Sequence, residues 1–267
     1  MSDIAEIVDD LQEEWAATDR LLEKLNDQLW KTQTPSPGWK IKDQIAHLAT
    51  SDAATLTACK FVRVATPAAA VGSAGRAIDP ALLGDGTARL TGFAPRPVML
   101  GLWRSTRKSL ATALKNLPPD SRIPWFSGLV TPEWMAKARL MEAWAHTLDI
   151  ADTIGVEVVG TDRLKYIAEL AVHNQKASFD AHNQPLPDEE IRVELSLPSG
   201  KTWTGGHAHT SQRVLGSALD FALVATRRRH REDTALQAVG HEADRWLEIV
   251  QAYQGSPGAG REPLNEQ

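Results

Sequence analysis

The chain has 267 residues, 42% of them hydrophobic, and a formal net charge of −5. That is enough apolar material for one large domain or two smaller ones, and the acidic balance argues against general nucleic-acid binding. There is no run of about 18 apolar residues to span a bilayer, and the single cysteine, Cys59, excludes an internal disulfide and any Cys-rich zinc module.

Residues 3 to 29 place Ile4, Val8, Leu11, Trp15, Leu22, Leu25 and Leu29 at three- and four-residue steps, interrupted at Thr18. This spacing predicts one long amphipathic helix. The segment MSDIAEIVDDLQEEW is acidic and amphipathic, unlike a secretory signal, so the expected location is the cytoplasm. TPSPGWK breaks the pattern, and a second helix is expected from about Ile41 to about Val64. From Ala65 to Pro95 the composition shifts to Ala, Gly and Thr, which reads as a long connection, either a lid over a site or a tolerated insertion.

A third helix is expected over about Arg96 to Leu117, ended by Pro118 and Pro119. The fourth begins with Thr131 as N-cap, Pro132 at the first helical position and Glu133 in the first turn, and stops at Gly155. A further helix is expected from Thr161 to about His182. IRVELSLPSGKTWTGG then alternates apolar and polar residues around a turn, which predicts a β-hairpin. Helical stretches are expected over about Ser211 to Arg229 and Thr234 to Tyr253, before a Gly/Pro-rich tail expected to be disordered. The fold class is mainly α: a helical bundle over 1–183, a small α+β domain over 184–255 and a tail over 256–267.

Polar residues inside apolar helices carry the functional signal. Glu142 and His146, four residues apart in EAWAHTLDIADTIG, project from one helix face, and His47 lies between Ile45 and Leu48 on another helix. In an antiparallel bundle the three can converge on one point. Such a His2Glu set matches a catalytic zinc site with an open fourth position, and it also matches the arrangement that holds ferrous iron. A Glu142–His146 hydrogen bond alone would satisfy the buried carboxylate without any metal.

The motifs GWKIKDQIAHLATSD and MEAWAHTLDIADTIG resemble the two signatures of the DinB-like, mycothiol-dependent maleylpyruvate isomerase family, matching also at Trp39, Asp43, Trp144 and Asp149. The resemblance covers about residues 3 to 182. It implies a DinB-like four-helix bundle with His47, Glu142 and His146 as ligands of a divalent metal, typically zinc, with ferrous iron or nickel as alternatives. It also implies mycothiol or another low-molecular-weight thiol as cofactor, a small-molecule substrate, and transferase or isomerase chemistry. VELSLPSGKTWTGG, RVLGSALDFALVATRRRHREDTAL and Trp246 resemble the small C-terminal domain of actinobacterial members. That family places an arginine of its second domain at the active site, for which Arg227, Arg228 and Arg229 are candidates.

Two other readings stay open: a hydrolase or cyclase on the same fold that activates water, and a non-catalytic protein that binds a small ligand. The expected assembly is a monomer or homodimer, with neither nucleic acid nor membrane as partner. Arg104 and Arg107 share a helix face and are candidates for binding an acidic substrate or cofactor. Cys59, twelve residues after His47, lies too far along its helix to serve as the thiol, and packing is its expected role. His207 and His209 alternate in GGHAHT without an apparent third ligand.

Overall fold

The computed structural model describes residues 3–64, 94–125, 128–258 and 260–266. The connection expected over Ala65 to Pro95 lies outside these except for its last two residues. The chain divides into two compact units, Met1–Val158 and Val159–Gln267.

The first unit is the four-helix bundle. Helix α1, Ile4–Leu22, starts where the Asp3 side chain accepts from the amide of Ala5, and it buries Ile7, Val8, Leu11, Trp15 and Leu22. The interruption of its apolar seam has a partner: Thr18 is fully buried, and its hydroxyl lies 2.6 Å from that of Thr147. Helix α2, Ile41–Ala58, ends earlier than expected, passing through a 3-10 turn at Cys59–Phe61 into a short strand β1, Arg63–Val64. The reason is a pairing that no local pattern announces. β1 runs antiparallel to β2, Ser121–Trp125, which pairs in turn with β3, Gly128–Val130. Helix α3, Arg96–Asn116, and helix α4, Pro132–Thr153, complete the bundle. Thr131 caps α4 by accepting from the amide of Trp134 at 3.1 Å, and Gly155 takes the left-handed conformation just past its end.

In the second unit the helical stretch expected over 161–182 is two helices, α5, Leu164–His173, and α6, Gln175–Ala181, broken at Asn174. Both belong to this unit, so the division falls after Val158 instead of near residue 184. The apolar face of α5, with Leu164, Ile167 and Leu170 buried, packs on a later helix, α7, Ala218–Ala225, and on the strand Thr202–Gly206. The hairpin is present: β4, Ile191–Ser196, pairs antiparallel with β5, Thr202–Gly206, with Leu195 opposite Trp203.

Two expected helical stretches begin as strands. Residues Gln212–Ser217 form β6, parallel to β4, and Gln237–Val239 form β7, giving the order β5-β4-β6-β7. Val214 is fully buried between neighbouring strands while Arg213 is exposed, a period-two pattern within six residues. The helix starts only at Ala218, where Ser217 accepts from the amide of Asp220 at 2.9 Å. Likewise α8, His241–Ile249, starts after Gly240. The tail is tied down in part, because Asp233 accepts from the amide of Leu264 at 3.0 Å and Pro257 accepts from the Tyr253 hydroxyl at 2.8 Å.

Gly206 closes the hairpin against the carbonyl of Ile191, and a Cβ there would lie 2.1 Å from that oxygen at φ +76°. Gly206→Ala is expected to lower stability by about 1–3 kcal/mol from the left-handed backbone alone, with the clash added, as read by urea denaturation. No helix among the described residues is long and apolar enough to cross a membrane.

Candidate metal centre

The sequence places His47 one turn and a half into α2, and Glu142 and His146 near the middle of α4. The bundle brings them together. One ligand atom from each lies within 4.8 Å of the others, and no other such group occurs among the described residues. The Nε2 atoms of His47 and His146 each sit 3.2 Å from Glu142 Oε2. Bonds of about 2.0–2.1 Å to a tetrahedral cation imply ligand-to-ligand separations of about 3.3 Å, so the two histidine–glutamate separations match a zinc-sized ion, and the third pair lies within 4.8 Å. The Glu142 side chain is 25% exposed, which leaves the shell reachable from solvent.

A hydrogen-bond chain orients His146. The Thr34 hydroxyl donates to the carbonyl of Trp39 at 2.7 Å, so its oxygen is free to accept from Gln44 Nε2 at 2.9 Å. That fixes the Gln44 amide with Oε1 toward His146 Nδ1, with which it pairs. Nδ1 therefore carries a proton, and the ring turns Nε2 toward the Glu142 carboxylate. Two acceptors facing each other repel unless a cation, metal ion or proton, stands between them. The donor set thus suits a divalent metal, and Gln44 plays the part that outer partners of metal-binding histidines usually play.

Opposing effects act on the Glu142 carboxyl. Burial pushes its pKa up, but hydrogen bonds from His146 and His47 and the charge of Arg139 hold it well below the usual carboxylate range. Arg139, one turn earlier on α4, is buried and donates to Asp52 Oδ1 at 3.1 Å and to the Ser51 hydroxyl at 3.0 Å. Ser51 donates to the carbonyl of His47 at 2.8 Å, and Trp103 Nε1 donates to Asp52 Oδ2 at 2.8 Å. The ligand-bearing turns of α2 and α4 are therefore tied to each other beneath the site. The sequence alone does not single out Gln44, Thr34, Asp52 or Arg139. A buried amide amid Ile41, Ile45 and Leu48 is the signal that points to Gln44.

The other motif positions have local roles. Trp39 lies against both imidazoles, with centroid distances of 5.4 Å to His47 and 5.9 Å to His146. Asp43 accepts from the amide of Lys40 at 2.9 Å, Asp149 accepts from the Ser36 hydroxyl at 3.0 Å, and Trp144 is core.

Of the arginine candidates, the two in the first unit, Arg104 and Arg107, are both bonded to Asp19. Arg107 is buried in the bundle, bonded to Asp19 and to the carbonyl of Trp15 and stacked 4.1 Å over Trp103, which makes it a packing element and not an accessible anion site. Arg104 shares Asp19 but is exposed. Arg227, Arg228 and Arg229 come directly after α7 in the second unit, where Arg227 donates to the carbonyl of Glu248, Arg228 to that of Thr226 and Arg229 to that of Arg228. His207 is exposed, 3.4 Å from Glu190. Cys59 is buried, and burial pushes its thiol to about 11. Iodoacetamide at neutral pH is expected to leave it unlabelled in the native protein and to label it in urea, as read by mass spectrometry.

The model of the mycothiol maleylpyruvate isomerase N-terminal domain matches residues 11–151, a span that contains all three members of the trio. Two uncharacterized proteins of Mycobacterium tuberculosis, from strains CDC 1551 / Oshkosh and ATCC 25618 / H37Rv, are each 40% identical over 266 residues, covering 98% of this chain and all of theirs. The crystal structure of the mycothiol-dependent maleylpyruvate isomerase superposes with a TM-score of 0.60 at 16% identity, covering 89% of this chain and 93% of that one. A histidine-to-alanine mutant of that enzyme superposes with a TM-score of 0.61. The whole-chain likeness bears out the mainly-α bundle with its small sheet-containing C-terminal region, and the chain belongs to the mycothiol maleylpyruvate isomerase N-terminal domain family.

Proposed function

We propose that this chain is a metal-dependent enzyme of the thiol-dependent transferase or isomerase type, acting on a small-molecule substrate with mycothiol or a similar low-molecular-weight thiol. The observation that carries this reading is the convergence of His47 Nε2 and His146 Nε2 on Glu142 Oε2, each at 3.2 Å, with His146 Nδ1 held by Gln44. His47, Glu142 and His146 would hold the metal, zinc being the best match and ferrous iron or nickel suiting the same donors.

A divalent cation there would lower the pKa of a thiol at the open position and so supply a nucleophile near neutral pH. The rest of the work falls to the protein. Glu142 stays ionised under the influence of the two imidazoles and Arg139. Trp39 forms an aromatic wall beside both rings, restricting water on that side.

The test is cobalt substitution and then titration with mycothiol. The expected result is a sulfur-to-cobalt absorption band that saturates at about one thiol per chain. A protein that takes up no metal under metal-replete conditions sinks the proposal. Metal uptake without the band, with activity indifferent to added thiol, replaces it with water-activating chemistry.

A further inference from the structure

The first unit contains a groove of about 940 Å³ where the 3-10 turn Leu29–Lys31 meets the beginnings of α2 and α3. That volume is within the range of small-molecule sites, about 300–1,000 Å³. Among the described residues its charged lining is Lys31, Lys40, Lys42, Arg96 and Arg104 against the single acid Asp27, in a chain whose formal charge is −5.

These cations are not equally committed. Arg96 is fixed in place, donating to the carbonyls of Leu22 and Leu25 at 2.6 and 2.9 Å, with its guanidinium 5.3 Å from the ring of Trp30. Arg104 is held by Asp19 at 2.9 Å, and Lys42 stands 3.9 Å from Asp43. Lys31 and Lys40 are exposed and make no ion pair among the described residues. Lys40 and Lys42 also flank the start of α2, and Arg96 opens α3, positions where the helix dipole disfavours a cation. The first turn of α3 carries no acid to offset it. The lining also has an apolar part, with Trp30 and Leu100, both almost wholly buried, and Pro95 and Pro97. An anion with an apolar body satisfies both parts of the lining.

We infer that this groove binds a small organic anion carrying at least two negative charges, as carboxylates or as a phosphate, on an apolar body. None of its lining residues belongs to the trio, so the inference stands apart from the metal reading. Arg96 and Arg104 are the preformed part of the site, and Lys31 and Lys40 close on the ligand.

The experiment is isothermal titration of the full-length protein at low ionic strength with phthalate and, separately, phenyl phosphate. At least one is expected to bind with a submillimolar Kd that weakens at higher salt, and the better of the two tells a carboxylate ligand from a phosphate one. Lys31→Ala/Lys40→Ala is expected to weaken binding at least tenfold. Both lysines are exposed, so this variant should keep its fold, which its circular dichroism spectrum checks. His47→Ala is expected to leave binding unchanged. The inference is overturned if neither probe binds, if the double variant binds like the wild type, or if His47→Ala abolishes binding.

Discussion

Divalent metal bound at about one equivalent per chain is expected to be lost on His47→Ala, and to be bound about 10–100-fold more weakly by Gln44→Leu. Gln44 touches no metal. Its expected effect comes through the proton on His146: without an acceptor at Nδ1 the ring is free to change tautomer or rotate, and Nε2 no longer presents its lone pair reliably to the shell. The contrast that separates this from simple loss of packing is Gln44→Glu, which keeps an acceptor opposite Nδ1 and should bind metal within a few-fold of the wild type. Competition with a chromophoric chelator reads all three variants. Equal affinity for Gln44→Leu and wild type would show that the Thr34–Gln44 chain does not orient the ligand.

The second large effect lies one layer below. Asp52→Ala removes the partner of a buried guanidinium and of a buried indole N–H at once, and is expected to lower the unfolding free energy by about 3–5 kcal/mol. Burial pushes the Asp52 carboxyl above its ordinary pKa, while the Arg139 charge and the Trp103 hydrogen bond only partly offset that push. The sign is informative. A carboxyl raised on folding costs stability as pH rises above its unfolded value, so the isolated ion is not the stabilising element. The cost of Asp52→Ala is instead that of leaving Arg139 charged and unpaired. Replacing both, as Asp52→Leu/Arg139→Met, should therefore cost much less than Asp52→Ala alone. Urea denaturation monitored by circular dichroism measures the difference, and equal losses for the two variants would contradict this account.

The helices of the first unit are legible because their signals are local. An apolar seam sets α1, and Thr131-Pro132 and Gly155 mark the ends of α4. The convergence of His47, Glu142 and His146 is legible for the same reason: these polar residues interrupt apolar faces at helical spacing. Thr18 shows how such an interruption can equally be structural, since it answers Thr147 across the bundle and no ligand. What local pattern does not show is pairing at long range. The strand β1 extends no helix because Ser121 and Arg122 are waiting for it, and β6 is a strand because β4 lies beside it in parallel register. In RVLGSALDF the strand is too short to outweigh the helical look of the residues after it. The hydrogen-bond chain to His146 is hidden differently, because it passes through a loop residue, Thr34, whose position only the fold supplies.

The two sides of the trio are joined by a long stretch of chain: His47 and Glu142 are 95 residues apart. A cation held between them would act topologically as a removable cross-link enclosing most of the first unit. Closing a loop of that size in the unfolded chain is worth about 4–5 kcal/mol in the entropic account of disulfides. This protein has one cysteine and cannot make such a staple covalently. The metal would then set how readily the unit unfolds as well as what it catalyses, and chelation would loosen the chain between α2 and α4 as reduction loosens a disulfide-bonded domain.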